Sequence, residues 1–318
     1  MSVAQVSSTS TESLLSLVGP LEYAKGHGTG NDFVLVADPH DVHAITPDQV
    51  AAICDRNRGI GGDGLIRAVP SAALPEGRAI LRTEPAAEWF MDYRNADGSL
   101  SEMCGNGVRV FVHFLVSEKL VDLPLGATLF IGTRGGLKSV SRVPEGYAVD
   151  MGPWEFIFPQ LATSNGLDSV VRTEGLSQAR GALSVSMGNP HTVIAVATPQ
   201  ELAELELTIN PVVEPHPPRG TNVEYVLPTE PLITNGLGSL TMRVHERGVG
   251  ETLSCGTGAC AAAVATRHWA GAQKTNQWMV EVPGGKLGVK FVLGETGKEH
   301  VILSGPAVLV TRGRICAQ

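Results

Sequence analysis

Apolar positions along the chain fall mostly into short runs of the kind strands use. Those at residues 33–37, 89–93, 128–132, 147–151, 183–187, 192–196, 222–227, 239–244, 279–282, 287–292 and 301–304 are mostly rich in Val, Ile, Thr or Tyr and bounded by Gly, Pro, Asn or Asp. Helical spacing is rarer and predicts helices at 47–57, 106–118, 199–205 and 258–270. Many short strands beside few helices argue against a strictly alternating βαβ order. They predict an α+β chain in which largely antiparallel sheets wrap a small number of helices.

Two of those helices open on similar sequences. Residues 98–107 read GSLSEMCGNG and residues 248–258 read GVGETLSCGTG, with cysteines at 104 and 255, close to half the chain apart. In each, a Cys-Gly-x-Gly element runs directly into an apolar helical stretch, 108–115 or 259–265. A duplicated domain with one such helix per half accounts for this most simply.

Composition narrows the classes available. The 318 residues suffice for two domains of about 150 residues, and 43% apolar against 18% charged residues supports a packed core. Net charge is −8, with no Lys/Arg block longer than a pair, so neither nucleic acid nor a membrane surface is an expected partner. The longest small-apolar stretch, 259–265, contains Cys260 and is followed by Arg267 and His268, too short and too polar to cross a membrane. Residues 1–20 are Ser/Thr-rich with Glu12 as their only charge and lack the basic start of a signal peptide. A mobile extension on a cytoplasmic protein is the expectation. Five cysteines, an odd number with no CxxC pair and no Cys/His cluster, predict reduced thiols and no metal site.

A thiol at a helix start meets unsatisfied backbone N–H groups and a partial positive charge, which lower its pKa. The glycines that follow let those N–H groups approach an anion such as a carboxylate. If the halves face one another, Cys104 and Cys255 flank one cleft. Two thiols so placed suit inversion of a stereocentre: one removes a proton from a carbon and the other returns one to the opposite face. No cofactor is expected, since there is neither a P-loop nor a lysine context for pyridoxal phosphate. Gly59-Ile60-Gly61-Gly62-Asp63-Gly64 satisfies a dinucleotide GxGxxG pattern but follows a helix rather than a strand.

The chain resembles the diaminopimelate epimerase family. The matching blocks are His27-Gly28-Thr29-Gly30-Asn31-Asp32-Phe33, the 59–64 glycine segment, and Asn95-Ala96-Asp97-Gly98 leading to Cys104-Gly105-Asn106-Gly107. In the second half they are Gly188-Asn189-Pro190-His191, Thr221-Asn222-Val223, and Glu246-Arg247-Gly248 leading to Cys255-Gly256-Thr257-Gly258. The resemblance implies two pseudo-symmetric domains, each a curved, largely antiparallel sheet around a central helix, with the active site in the cleft between them. It implies domains at 21–146, with a returning C-terminal strand at 301–318, and at 147–300, and a homodimer.

The same resemblance implies that Cys104 and Cys255 are the acid/base pair acting on diaminopimelate without a cofactor. Gly105, Asn106, Gly256 and Thr257 would hold the carboxylate at the reacting carbon. Asn31, Asn95, Asn189, Asn222, Glu246 and Arg247 would bind the rest of the substrate, and His191 and Glu246 would bias thiol protonation. Arg247 suits a second carboxylate through its planar fork. Gly64 stands where some relatives carry Gln, so a side-chain contact is missing there. Cys54, Cys260 and Cys316 are expected bystanders. A two-thiol proline or hydroxyproline racemase and a thiol–disulfide redox protein are the competing functions.

Overall fold

A computed structural model of the protein describes residues 20–294 and 296–315. Residues 1–19 of the expected extension, and Cys316, lie outside the described residues. The chain divides into two compact units. Among the described residues, one comprises 20–27, 32–140 and 308–315, the other 28–31 and 141–307.

In the first unit, Leu21–Gly28 lies between Val308–Ile315, its antiparallel partner, and Asn31–Ala37. Asn31–Ala37 runs parallel to Gly64–Pro70, which is antiparallel to Trp89–Asn95, which in turn is parallel to Thr128–Thr133. Each parallel pair needs a crossover. Helix Pro47–Cys54 lies in the first and helix Gly105–Ser117 in the second. The latter is buried along most of its length, from Gly105 through Val112 and again at Phe114 and Leu115. Its apolar residues join Phe33, Leu35, Ile66, Phe90 and Met91 among the residues closed to solvent.

The second unit repeats that order. Arg180–Ser186 pairs antiparallel with Pro190–Ala195, which runs parallel to Asn222–Thr234. The latter is antiparallel to Leu237–Glu246, itself parallel to Gln277–Val282. Helix Gly256–Trp269 is the crossover of the last pair. The sheet extends through Gly285–Leu293 and Glu299–Gly305 to Gly146–Pro153, all antiparallel. The helix contacts seven strands of this sheet. Small side chains permit such close approach on every face: residues 259 to 265, mostly alanine, are at most 2% exposed. The architecture is therefore the α+β one expected, antiparallel-rich with a buried helix in each half. Local βαβ crossovers inside it escaped the sequence pattern.

The 59–64 glycine segment has a structural duty. Ile60 and Gly61 N–H groups donate to the Ile53 carbonyl, and Gly62 N–H donates to that of Cys54, closing the end of helix Pro47–Cys54. A side chain at Gly59 would lie 2.2 Å from the Ala52 carbonyl oxygen. Among the described residues, no helix is long and apolar enough to cross a membrane.

Candidate active site

Both cysteines of the repeat are helix N-caps with extended backbones. Cys104 precedes helix Gly105–Ser117 and its Sγ accepts the Gly107 N–H at 3.4 Å. Cys255 precedes helix Gly256–Trp269 and accepts the Gly258 N–H, also at 3.4 Å. Gly105 and Asn106, like Gly256 and Thr257, thus occupy the first two helical positions, whose N–H groups have no acceptor within the helix. Cys54, Cys104, Cys255 and Cys260 are thiols rather than disulfides.

The surroundings of the two sulfurs differ. Cys104 is partly exposed. A Cβ added at Gly107 would meet Met91 Cε at 2.9 Å and Phe33 Cζ at 3.3 Å, so the first turn of that helix backs onto apolar side chains. Cys255 is 7% exposed. Its helix's first turn backs onto a carboxylate, since a Cβ added at Gly258 would lie 2.7 Å from Glu224 Oε1. The Thr257 hydroxyl lies 3.5 Å from Cys255 Sγ.

Burial pushes the Cys255 thiol well up, and Glu246 and Glu224 add to this, outweighing hydrogen bonds from Thr257 and Gly258. The lowered pKa expected of a thiol at a helix start is therefore reversed at Cys255, because desolvation and two acidic neighbours exceed what the helix end supplies. Burial likewise pushes the Glu246 carboxyl up against hydrogen bonds from Thr252 and Cys255. The Thr252 hydroxyl donates to Glu246 Oε1 at 2.5 Å.

Polar groups of the second unit form a chain leading to Cys255. His191 Nδ1 lies 2.7 Å from Glu224 Oε1 and His191 Nε2 lies 3.0 Å from Asn189 Oδ1. Asn189 Nδ2 reaches Thr257 Oγ1 at 3.4 Å. Asn222 Oδ1 accepts the Arg247 N–H at 3.0 Å while its Nδ2 donates to the Pro190 carbonyl. The Arg247 guanidinium donates to the Arg219 carbonyl. Asn189, His191, Asn222, Glu246, Arg247, Gly256 and Thr257 thus belong to the unit that holds Cys255, as does Asn31.

Asn95, Gly105 and Asn106 belong to the unit of Cys104. Asn95 Nδ2 donates to Ser99 Oγ, and the buried Asn106 Oδ1 accepts from Arg109 Nη2 at 2.9 Å. Gly64 cannot be exchanged for a larger residue on this backbone, because a Cβ would lie 2.4 Å from the Arg94 carbonyl oxygen. Of the bystanders, Cys54 is buried with its thiol pushed up to about 12 by burial and by Asp32 and Asp63. Cys260 is closed to solvent inside its helix.

The sequence of this chain matches the diaminopimelate epimerase family model over residues 23–157 and 183–310. A diaminopimelate epimerase of Streptomyces coelicolor is 41% identical over 300 residues, covering 92% of this chain and 94% of that protein. One of Thermobifida fusca is 42% identical over 301 residues, covering 93% and 98%. The chain belongs to the diaminopimelate epimerase family. Solved structures at far lower identity share the fold. A phenazine biosynthesis protein of the PhzF family from Bacillus anthracis superimposes with a TM-score of 0.61 at 15% identity, over 93% of this chain and 98% of that one. A hydroxyproline epimerase from Agrobacterium vitis gives 0.59 at 13%, over 93% and 90%.

Three residues of this diaminopimelate epimerase family member escaped the sequence reading. Glu224 is fully buried, although it lies in the strand run 222–227. A single charge within an apolar run was the available signal. Arg109, also fully buried, donates to the Gly105 carbonyl and to Asn106; a lone arginine inside an apolar helix marked it. Thr29 has φ of 51°, costly for a β-branched residue by roughly 1–3 kcal/mol. Its hydroxyl meets Ser254 Oγ at 2.7 Å, anchoring the residue before Cys255.

Proposed function

We propose that this protein interconverts LL- and meso-2,6-diaminopimelate through proton transfer at one α-carbon, with Cys104 and Cys255 as the acid/base pair. The observation that carries this is the repeated device: each half caps its buried helix with a cysteine whose sulfur accepts a first-turn N–H. In one direction a thiolate takes the α-hydrogen as a proton, leaving the electron pair on carbon, and the other thiol gives its proton to the opposite face. Thiolate and thiol have then exchanged places, and the reverse reaction starts from that state. Burial and the two nearby carboxyl groups favour the protonated form of Cys255.

The N–H groups of Gly105, Asn106, Gly256 and Thr257 supply the positive field that a carboxylate and its adjacent carbanion need. In this reading Arg247 forks the distal carboxylate, while Asn31, Asn95, Asn189, Asn222 and Glu246 bind the amino-acid ends. Asn95 spends its amide nitrogen on Ser99, and Asn189 and Asn222 each engage both amide atoms with the protein, which fixes the direction of the hydrogens and lone pairs left for a substrate. His191 and Glu246 bias the protonation of Cys255. The overall charge of −8 opposes a dicarboxylate, so attraction arises locally. The same reading makes the enzyme a cytoplasmic homodimer. Reducing conditions suit its thiols, and exposed Val308 and Val310 on one strand suit a partner.

Heavy-water exchange followed by NMR tests the substrate. Either diaminopimelate isomer should gain deuterium at the α-carbon while the other isomer appears, and proline and trans-4-hydroxyproline should not exchange. Exchange with the cyclic amino acids alone overturns the proposal. Light scattering that finds only monomer removes the dimer.

A further inference from the structure

Glu224 has no part in the roles above, yet it is the most enclosed acidic group near Cys255. It is 0% exposed, Oε1 is 2.7 Å from His191 Nδ1, and Oε2 is buried with no hydrogen-bond partner among the described residues. An isolated buried carboxylate is strongly unfavourable unless a positive charge or a proton compensates it.

The hydrogen-bond directions show where that proton is. Asn189 Nδ2 donates to Thr257 Oγ1, so Asn189 Oδ1 is an acceptor and His191 Nε2, 3.0 Å away, carries a hydrogen. A carboxylate oxygen 2.7 Å from Nδ1 needs a second hydrogen between them. The His191–Glu224 pair therefore holds two protons and is neutral overall. The Thr257 hydroxyl lies 3.5 Å from Cys255 Sγ; either atom can donate while the sulfur is a thiol, and only the hydroxyl can once it is a thiolate.

We propose that Glu224 is a positioning residue for the Cys255 half-reaction: it keeps a second proton on His191 and, through Asn189 and Thr257, aims a hydroxyl hydrogen at the sulfur. The donor strengthens when the sulfur becomes thiolate, as it must once per turnover. Gly258 is the space this requires, because any side chain there would strike the carboxylate. Glu246, the last residue of the neighbouring strand Leu237–Glu246, is the second acid whose charge bears on the sulfur. The kinetic consequence rests on the proposed epimerase reaction; the proton inventory does not.

Imidazole nitrogen-15 NMR of His191, assigned with His191→Asn, tests the inventory in the protein without substrate. Near neutral pH the wild type should show both ring nitrogens protonated, and Glu224→Gln should show one. With diaminopimelate, Glu224→Gln should lower kcat by roughly tenfold or more at nearly unchanged KM, and Glu224→Asp should recover part of the loss. A wild-type His191 with one protonated nitrogen overturns the proposal, and so does a folded Glu224→Gln with wild-type His191 signals and wild-type kcat. Should Glu224→Gln fail to fold, the wild-type spectrum decides alone. Should the wild type not epimerise diaminopimelate, the spectra still decide, and only the substrate assignment falls.

Discussion

Cys104 and Cys255 occupy matching places in matching frameworks, and register shows how differently those places are furnished. In the first unit Phe33 sits beside Gly64, which sits beside Asn95. In the second, His191 sits beside Asn222, the next residue Val223 sits beside His245, and Glu246 follows His245 along that strand. Two residues further along the middle strand come Ile66 and Glu224. One thiol thus has Phe33, Ile66 and Asn95 in the row where the other has His191, Glu224 and Glu246. Duplication conserved the cap and the first-turn N–H, which any two-thiol inversion needs twice. Glu224 and Glu246 thus stand in the second unit where the first unit has Ile66 and Asn95. The two cysteines match in position but not in these strand neighbours.

The largest effects should come from the sulfurs themselves. Cys104→Ala and Cys255→Ala should each lower epimerisation by about 10²–10⁴, measured by chromatographic separation of the isomers. Unequal residual α-deuterium exchange from the LL and meso isomers would sharpen the contrast; loss in only one variant would break it.

A second contrast lies one helical turn on, where Arg109 and Cys260 stand at the same offset from their cysteines. Arg109→Ala removes a fully buried side chain and the partner of Asn106, costing on the order of 3 kcal/mol, against about 1 kcal/mol for Cys260→Ala. Urea unfolding monitored by circular dichroism compares them.

Third, Gly258→Ala drives a methyl group into Glu224 and should cost about 1–3 kcal/mol. Gly107→Ala meets the flexible end of Met91, and its gain in helix propensity, about 1 kcal/mol, offsets the crowding. Melting temperatures of the pair should therefore separate.

The smallest effect is a pH dependence of opposite sign in the two units. Glu246 is pushed above the ordinary carboxylate range, so its contribution is full in acid and fades as pH rises through its shifted pKa. Glu246→Gln should gain stability relative to wild type between pH 4 and 8, on the order of 1 kcal/mol. Burial pushes Asp32 up, but hydrogen bonds from Arg56 and Lys25 outweigh it and hold this carboxyl low. Its contribution is present at neutral pH and fades as pH falls, so Asp32→Asn should cost most near pH 7 and least in acid. Thermal melts across pH check both signs.

Much of this was legible in the sequence. The Cys-Gly-x-Gly repeat located both helices to within two residues of their starts, because a cap, small residues and an apolar run act together locally. Eleven strand runs fell on observed strands, extended by a few residues at most ends. The strands Leu21–Gly28, Gly64–Pro70, Gly136–Val143 and Val308–Ile315 were missed. Glycine, proline or charged residues interrupt them, and pairing partners far along the chain hold them extended. Helices Pro75–Leu81 and Pro159–Asn165 are too short for periodicity to register. The direction of the Cys255 shift was illegible for a related reason. A helix end is visible in local sequence, whereas Glu224 and Glu246 reach the sulfur from strands that lie next to it only after folding.

The pairing of Leu21–Gly28 with Val308–Ile315 has a consequence for synthesis. The first unit is started at one end of the chain and finished at the other, with the second unit threaded between. A nascent chain can complete residues 141–307 while the first unit still exposes the edge that residues 308–315 will cover. Closing that edge brings together segments separated by nearly the whole chain, the slowest kind of contact to form. A growing polypeptide therefore holds one finished half and one open one until residues 308–315 arrive to close the first unit.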